Sequence, residues 1–151
     1  MKKKELSEIK TEAAKKTITM QHEKFGKTIG VNGCAGSSNL GQKSFFISRE
    51  LTKRFPNAFM RCPLGLYPEV EGPSQVLMYD DYQIVIDGCK GACLRKSLEK
   101  AGIKIDLAYE LDHEDYMTEK KAGPHFDEKK MLELTDIIER DIKKLIEKEN
   151  K

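Results

Sequence analysis

Short apolar runs in this chain end at glycine or proline and alternate with longer segments of helical periodicity. Three of these runs, at 28–31, 58–62 and 82–86, have the length of short strands. The run at 82–86 is apolar on both faces, as buried parallel strands are. A fourth strand is predicted at 103–107. Strands that alternate with helices in this way indicate a parallel sheet with helices on both faces.

The longest internal helix is predicted to follow the first strand. Ser37, Ser38 and Asn39 can cap its start, because their side-chain oxygens accept hydrogen bonds from the free N–H groups of the first turn. Pro56 ends it near Phe55, since proline disfavours helix in the residue before it. One face of this helix carries the residues predicted to be buried: Leu40, Ser44, Ile47, Leu51 and Phe55.

Four further helices follow from spacing and stop signals. A short helix begins near Ser74, and another runs over about 92–100, with Gly102 as its C-terminal stop. Residues 1–24 are predicted to form a helix with a thin apolar stripe at Leu6, Ile9 and Ala13, with Ala14 as a further candidate. A C-terminal docking helix is indicated by apolar positions of helical period: Met131, Leu134, Ile138, Ile142 and Leu145.

The predicted fold is a three-layer, Rossmann-like α/β domain with a small parallel sheet of about four strands. Right-handed crossovers restrict the strand order, and the order 2-1-3-4 is favoured. Residues 1–24 are interpreted as a helical extension and 25–151 as a single α/β domain. In such a sheet, ligands collect beyond the carboxyl ends of the strands, at the switch point between strands one and three.

Composition narrows the function classes. The chain has 151 residues and a net charge of +2, which is too small to indicate a nucleic-acid partner. The basic N-terminus is not followed by the apolar segment of a secretory signal, and no apolar run approaches the length of a membrane span. A cytoplasmic location is therefore expected, where thiols stay reduced. The expected partner is a protein or a small molecule, and neither a nucleic acid nor a membrane.

Four cysteines lie where predicted strands end. Cys34 and Cys62 each follow a strand, and Cys89 and Cys93 flank the start of the helix after the third strand. Parallel strands would bring all four sulfurs to one edge of the sheet. Neighbouring strands lie about 5 Å apart and strands two apart about 10 Å, so the turn carrying Cys62 must curl inward to reach a common ion. Four thiolates suit tetrahedral zinc, and helix N-termini favour the thiolate form. The sequence therefore predicts a zinc site with these four ligands.

Other chemistries fit part of the pattern. The same four cysteines suit an iron–sulfur cluster. A thiol-based oxidoreductase or a metalloid-handling enzyme would use Cys34 as nucleophile with Cys89 and Cys93 as partners, and core packing could explain any single cysteine. A phosphatase-like loop is excluded, because its oxyanion-clamping arginine would stand six residues after Cys34, where the chain has Leu40.

Polar residues near the cysteines are candidates for supporting roles. Asp87 could accept hydrogen bonds from N–H groups of the turn as an outer-shell group, or simply form a turn before Gly88. Ser37, Asn39 and Gln42 could line a small-molecule pocket above the sulfurs, although capping also explains the first two. The three histidines have charged surroundings typical of surface positions: His22, His113 and His125.

Several motifs at about 30–105 together resemble the DGC domain family, which is named for its Asp-Gly-Cys motif. The matching motifs are CAGSSNLGQ from Cys34, CPLG from Cys62, IDGCKGAC from Ile86 and LEKAG from Leu98. The resemblance implies that Cys34, Cys62, Cys89 and Cys93 are metal ligands. It implies no reaction, since the family is defined by its predicted zinc site.

Overall fold

The structure is a computed structural model that describes residues 8–68, 70–116, 118–121, 125 and 127–149. Its four strands are β1 (Ile29–Gly33), β2 (Ala58–Met60), β3 (Tyr82–Asp87) and β4 (Leu107–Glu110). Its α-helices are α1 (Glu12–Phe25), α2 (Asn39–Arg54), α3 (Pro73–Met78), α4 (Cys93–Lys100) and α5 (Glu128–Glu149). Single 3₁₀ turns also lie at Pro63–Leu66 and Glu114–Tyr116.

All four strands run parallel in the order β2-β1-β3-β4. The α/β class and the order 2-1-3-4 predicted from the sequence are both confirmed. The two central strands, β1 and β3, pair over five residues from Ile29 opposite Tyr82 to Gly33 opposite Ile86. The switch point of the sheet therefore lies between β1 and β3, where the first and third cysteine-bearing loops leave it.

Helices cover both faces of the sheet. On one face, α2 and α5 bury a large apolar cluster against alternate side chains of the strands. On the other face, α3 and α4 enclose a smaller cluster around Val85. The alternation follows from the pleat, which sends successive side chains of β3 to opposite faces. The larger cluster includes Ile29, Val31, Leu40, Ile47, Leu51, Ile84, Ile86, Met131, Leu134, Ile138 and Ile142.

The C-terminal helix is fastened to α2 as well as to the sheet. Its buried residues include Met131, Leu134, Ile138 and Ile142, as the helical spacing predicts. At the far end of α2, Nη1 of Arg54 lies 2.6 Å from carboxylate oxygens of both Asp136 and Glu139. The two helices thus enclose one side of the sheet from end to end.

The fourth strand lies later in the chain than the predicted range 103–107, and that prediction is wrong in its bounds. The N–H of Ile103 donates to the carbonyl of Leu98 at 3.0 Å and closes the end of α4. Ile103 and Ile105 pack in the cluster under α4. Their apolar character therefore serves the helix packing, and pairing with β3 begins only at Leu107.

The first helix also differs from its predicted stripe. It begins at Glu12, so its buried positions are Ala14 and Ile18, whereas Ala13 is exposed. Leu6 lies outside the described residues. A small cluster joins this part of the chain to the end of α3: Ile9, Ala14, Ile18 and Tyr79. The extension therefore packs on its own domain. Within the described ranges, no helix combines the length and the apolar character needed to cross a membrane.

Candidate metal centre

All four cysteines are free thiols at the carboxyl edge of the sheet. Cys34 directly follows β1, and its N–H donates to the carbonyl of Ile86 at 3.0 Å, which extends the pairing with β3. Cys62 lies two residues beyond β2 and Cys89 two residues beyond β3, while Cys93 is the first residue of α4. The topology therefore delivers three loops and one helix start to the same end of the molecule.

Cys34 is half-buried, and its sulfur accepts a hydrogen bond from the backbone. The backbone N–H of Gly88 donates to Cys34 Sγ at 3.0 Å, and Oγ of Ser44 lies 3.6 Å from the same sulfur. Ser44 Oγ also lies 2.6 Å from the carbonyl oxygen of Cys34. The single hydroxyl hydrogen of Ser44 has carbonyl acceptors at 2.6 and 2.7 Å, so the N–H of Gly88 is the donor to the sulfur.

Two glycines allow α2 to approach the sheet edge this closely. A Cβ added at Gly88 would lie 2.7 Å from the carbonyl carbon of Leu40 and 2.8 Å from Cα of Gly41. At Gly33, a Cβ would meet the carbonyl oxygen of Ser44 at 2.7 Å. The neighbouring atoms are backbone and cannot rotate away. Both positions therefore require glycine, and the start of α2 rests directly on the ends of β1 and β3.

The sulfurs of Cys89 and Cys93 border one shared space. A Cβ added at Gly91 would lie 3.5 Å from Sγ of Cys89 and 3.8 Å from Sγ of Cys93. The turn between them is closed by the N–H of Ala92, which donates to the carbonyl of Cys89 at 2.9 Å. Ala92 has φ 47° and ψ 44°, a left-handed conformation that is uncommon for a residue with a side chain.

Asp87 caps the helix that begins at Cys93. Its buried carboxylate accepts hydrogen bonds from the N–H groups of Leu94 at 2.9 Å and Arg95 at 3.0 Å. The N-cap residue Ala92 has no side-chain oxygen, so Asp87 of β3 takes over that role from across the turn. Burial raises the pKa of Asp87, and the two N–H donors oppose the rise. Asp87 thus fixes the helix turn that carries Cys93.

The polar residues at the start of α2 have separate roles. Ser38 is the N-cap, and its Oγ accepts from the N–H of Gly41 at 3.2 Å. Asn39 is buried and bonds to residues 119 and 121. Ser37 is exposed and Gln42 is half-buried. The structure does not gather Ser37, Asn39 and Gln42 around one cavity among its described residues.

One contact at the site gave no signal in the sequence. Nζ of Lys120 lies 3.5 Å from Sγ of Cys89, although 31 residues separate them. Lys120 belongs to an irregular segment after β4, and nothing in its local pattern distinguishes it from the neighbouring Lys121. Only the folded path of that segment brings an ammonium group to the cysteines.

The four thiols share an edge without forming a closed cluster. Within the described part of the chain, no three His, Cys, Asp or Glu side chains are grouped closely enough to hold a metal ion. Cys62 and Cys93 are exposed, whereas Cys34 and Cys89 are half-buried. The chemistry of the donor set fits a thiophilic metal, since all four sulfurs are unpaired and three neighbouring loops carry them.

The histidines lie in charged surroundings, away from a ligand set. Nε2 of His22 is 3.1 Å from Oδ2 of Asp81, which joins α1 to the segment before β3. Nδ1 of His113 is 3.3 Å from Oδ2 of Asp115. His125 is exposed.

A cavity lies beside β4 and the 3₁₀ turn that follows it. Its volume is about 420 Å³, and none of its lining residues is a cysteine. The lining residues are Ala108, Tyr109, Glu110, His113, Asp115 and Tyr116. The cavity is therefore distinct from the space above the sulfurs, where the sequence predicts a pocket.

The sequence of this chain matches a known family. The DGC domain family matches residues 30–146. The chain belongs to this family, and the match extends past the motifs at 30–105 to include β4 and most of α5. Membership supports a metal-binding role. No curated protein and no solved structure matches the chain.

Proposed function

We propose that this protein binds a single zinc ion through Cys34, Cys62, Cys89 and Cys93 in the reducing environment of the cytoplasm. The observation that carries the proposal is the delivery of four free thiols to one sheet edge, with two sulfurs bordering the space above Gly91. Zinc bound by four thiolates has a closed shell with no open position, which is typical of a structural or metal-storing centre.

The chain's own residues support such a centre. The N–H of Gly88 already donates to the sulfur of Cys34 and can offset thiolate charge. Asp87 holds the first turn of α4 and thereby the backbone at Cys93. The side chain of Cys62 is exposed, so its sulfur is accessible to an ion. A bound zinc ion would link the loops that carry the four sulfurs.

A second candidate is a thiol-based enzyme, either an oxidoreductase or a metalloid-handling protein, with Cys34 as nucleophile. The donor at its sulfur favours this second candidate, because the N–H of Gly88 would stabilise an attacking thiolate. Cys89 and Cys93 would then act as partner thiols. An iron–sulfur cluster would use the same four ligands and would colour the anaerobically purified protein brown.

Zinc titration of the metal-free protein tests the proposal. A chromophoric chelator competes for the ion, and the wild type is compared with the four single Cys→Ser variants. Ser37→Ala is the matched control, because Ser37 is an exposed residue of the Cys34 loop. We expect the wild type to bind one zinc ion per chain. Each cysteine variant should lose zinc affinity by more than the roughly 10- to 100-fold that loss of an outer-shell group costs. Ser37→Ala should bind like the wild type.

Alkylation with iodoacetamide separates the two candidates. Zinc binding through all four cysteines should protect each of them from alkylation, as measured by peptide mass spectrometry. A thiol enzyme predicts that Cys34 alone reacts fast and that zinc leaves the other three unprotected. A folded protein that takes up no zinc and keeps four free thiols would refute the zinc proposal.

A further inference from the structure

A short segment after β4 crosses the start of α2 next to the cysteines. We refer to residues 118–121 as the strap. Asn39 holds it with three hydrogen bonds: its N–H donates to the carbonyl of Lys121 at 3.1 Å, its Nδ2 donates to the carbonyl of Glu119 at 3.0 Å, and its Oδ1 accepts from the N–H of Lys121 at 2.7 Å. Asn39 is only 5% exposed, so its own position is fixed by packing.

The other end of the strap is attached to the sheet. Oγ1 of Thr118 donates to the carbonyl of Leu111, and the N–H of Leu111 donates to the carbonyl of Asp87 at 2.9 Å. The strap is therefore held at both ends, by the extension of β4 and by the first turn of α2. A segment fixed in this way presents its side chains in set directions.

Lys120 is the strap residue that contacts the cysteines. The backbone is bonded to Asn39 on both sides of it, at Glu119 and Lys121, and Nζ of Lys120 lies 3.5 Å from Sγ of Cys89. The two neighbouring side chains pair with each other, Nζ of Lys121 lying 3.3 Å from Oε2 of Glu119. The positive charge that reaches the sulfur therefore belongs to Lys120.

We propose that Lys120 is a positioning residue of the thiolate centre: its ammonium group offsets the negative charge that the sulfurs carry when they hold a metal ion. The inference rests on the proposed function. Zinc bound by four thiolates has a net negative charge of two, which nearby hydrogen-bond donors and cations must balance. Gly88 supplies a neutral donor at Cys34, and Lys120 supplies a full charge at Cys89.

Zinc affinity of strap variants tests this role. Lys120→Gln removes the charge and keeps much of the side-chain length, whereas Lys120→Arg keeps the charge. Lys121→Gln is the matched control, because it removes an equal charge one residue away. Asn39→Ala removes the two side-chain hydrogen bonds, to Glu119 and to Lys121, and keeps the backbone bond to the carbonyl of Lys121. Affinities are measured with zinc alone, by chelator competition, at one pH and at low and high salt.

We expect Lys120→Gln to weaken zinc binding by roughly 10-fold, the low end for an outer-shell group, because Lys120 is partly screened by solvent. Lys120→Arg and Lys121→Gln should stay within about 2-fold of the wild type, well inside that outer-shell range. The loss in Lys120→Gln should shrink at high salt, since screening already weakens the charge that it removes. The losses of zinc affinity in Asn39→Ala and Lys120→Gln should not be additive, because both changes act on the same contact.

Two results would overturn the role of Lys120. One is zinc binding that needs the cysteines but is equal in Lys120→Gln and Lys121→Gln. The other is an equal loss in Lys120→Arg and Lys120→Gln, which would mean that packing rather than charge is needed. Failure of the proposed function has a different signature, namely zinc binding that is absent from the wild type or survives the Cys→Ser changes.

Discussion

The guanidinium of Arg61, the residue before Cys62, forms a buried bidentate ion pair with the carboxylate of Asp80. Nε of Arg61 lies 2.7 Å from Oδ2 of Asp80, and the two side chains are only 8% and 1% exposed. Nη2 of Arg61 also donates to Oε1 of Gln21 at 2.9 Å. The loop that carries Cys62 is thereby tied both to α1 and to the start of β3.

Breaking this pair should strongly destabilise the fold. We expect Asp80→Asn to lower the free energy of unfolding by about 3–5 kcal/mol, because it leaves the buried Arg61 charge without a counter-charge. Arg61→Met should cost less, since Asp80 can take up a proton: burial raises its pKa, against the opposing effect of Arg61. Urea denaturation of each variant measures both changes.

An exposed pair provides the control for that prediction. Glu50→Gln removes one partner of the Lys53–Glu50 pair on α2, and it should cost no more than about 0.5 kcal/mol. A change in Asp80→Asn as small as that in Glu50→Gln would contradict the importance of burial for the Arg61–Asp80 pair.

Gly88→Ala should disturb the contact between α2 and the sheet edge. The added Cβ would overlap backbone atoms of Leu40 and Gly41, so α2 must shift at a cost of about 1–3 kcal/mol. Gly36→Ala is the matched control, because a Cβ there meets only Cα of Gly41, at 3.8 Å. Thermal unfolding compares the two variants, and equal transition temperatures would show that the contact is not tight.

Asp87→Ala should loosen the start of α4. Loss of the capping carboxylate is expected to lower the free energy of unfolding by about 0.5–2 kcal/mol, since the N–H groups of Leu94 and Arg95 lose their acceptor. Asp87→Asn should lose less, because the amide oxygen can still accept a hydrogen bond. Urea denaturation of the metal-free variants tests this order, and a larger loss in Asp87→Asn would contradict the capping role.

Tyr109 should make the fold sensitive to alkaline pH. Burial raises the pKa of Tyr109 well above its ordinary value, and the nearby Asp141 carboxylate, which accepts its O–H at 3.0 Å, raises it further. The folded state thus holds the proton more tightly than the unfolded state does. Its stabilising effect is complete below the ordinary tyrosine pKa of about 10 and is lost as the pH rises above it.

Tyr109→Phe measures this effect. Unfolding by urea at pH 9 and at pH 10.5 should show a smaller loss of stability with pH in the variant than in the wild type. Tyr82 and Tyr116 also have raised pKa values, so part of the loss should persist. Equal losses in the two proteins would show that Tyr109 ionises as freely in the folded state as in the unfolded chain.

The architecture follows from local signals in the sequence. Ser38, Pro56 and Gly102 marked the ends of helices, and apolar periodicity marked their buried faces. The bounds of β4 were misplaced because apolar character at Ile103 and Ile105 serves equally well in a strand or beneath a helix. Periodicity alone does not distinguish these two uses over such short runs.

The candidate site was predictable only in part. The strand order placed the four cysteines at one edge, but side-chain directions depend on contacts between distant segments. The strap, for example, reaches Asn39 from 80 or more residues along the chain. Lys120 carries no local pattern of its own, and its approach to Cys89 depends on how β4 continues past the sheet.

The left-handed residue Ala92 implies that the cysteine turn is preorganised. Such a conformation costs an alanine about 1–2 kcal/mol, and the fully buried surroundings of Ala92 impose it as the domain folds. The backbone linking Cys89 to Cys93 thus takes its shape without help from an ion. An arriving metal would not have to order this turn, so its affinity should reflect sulfur coordination more than folding. Metal loading and unloading would then leave the surrounding scaffold standing.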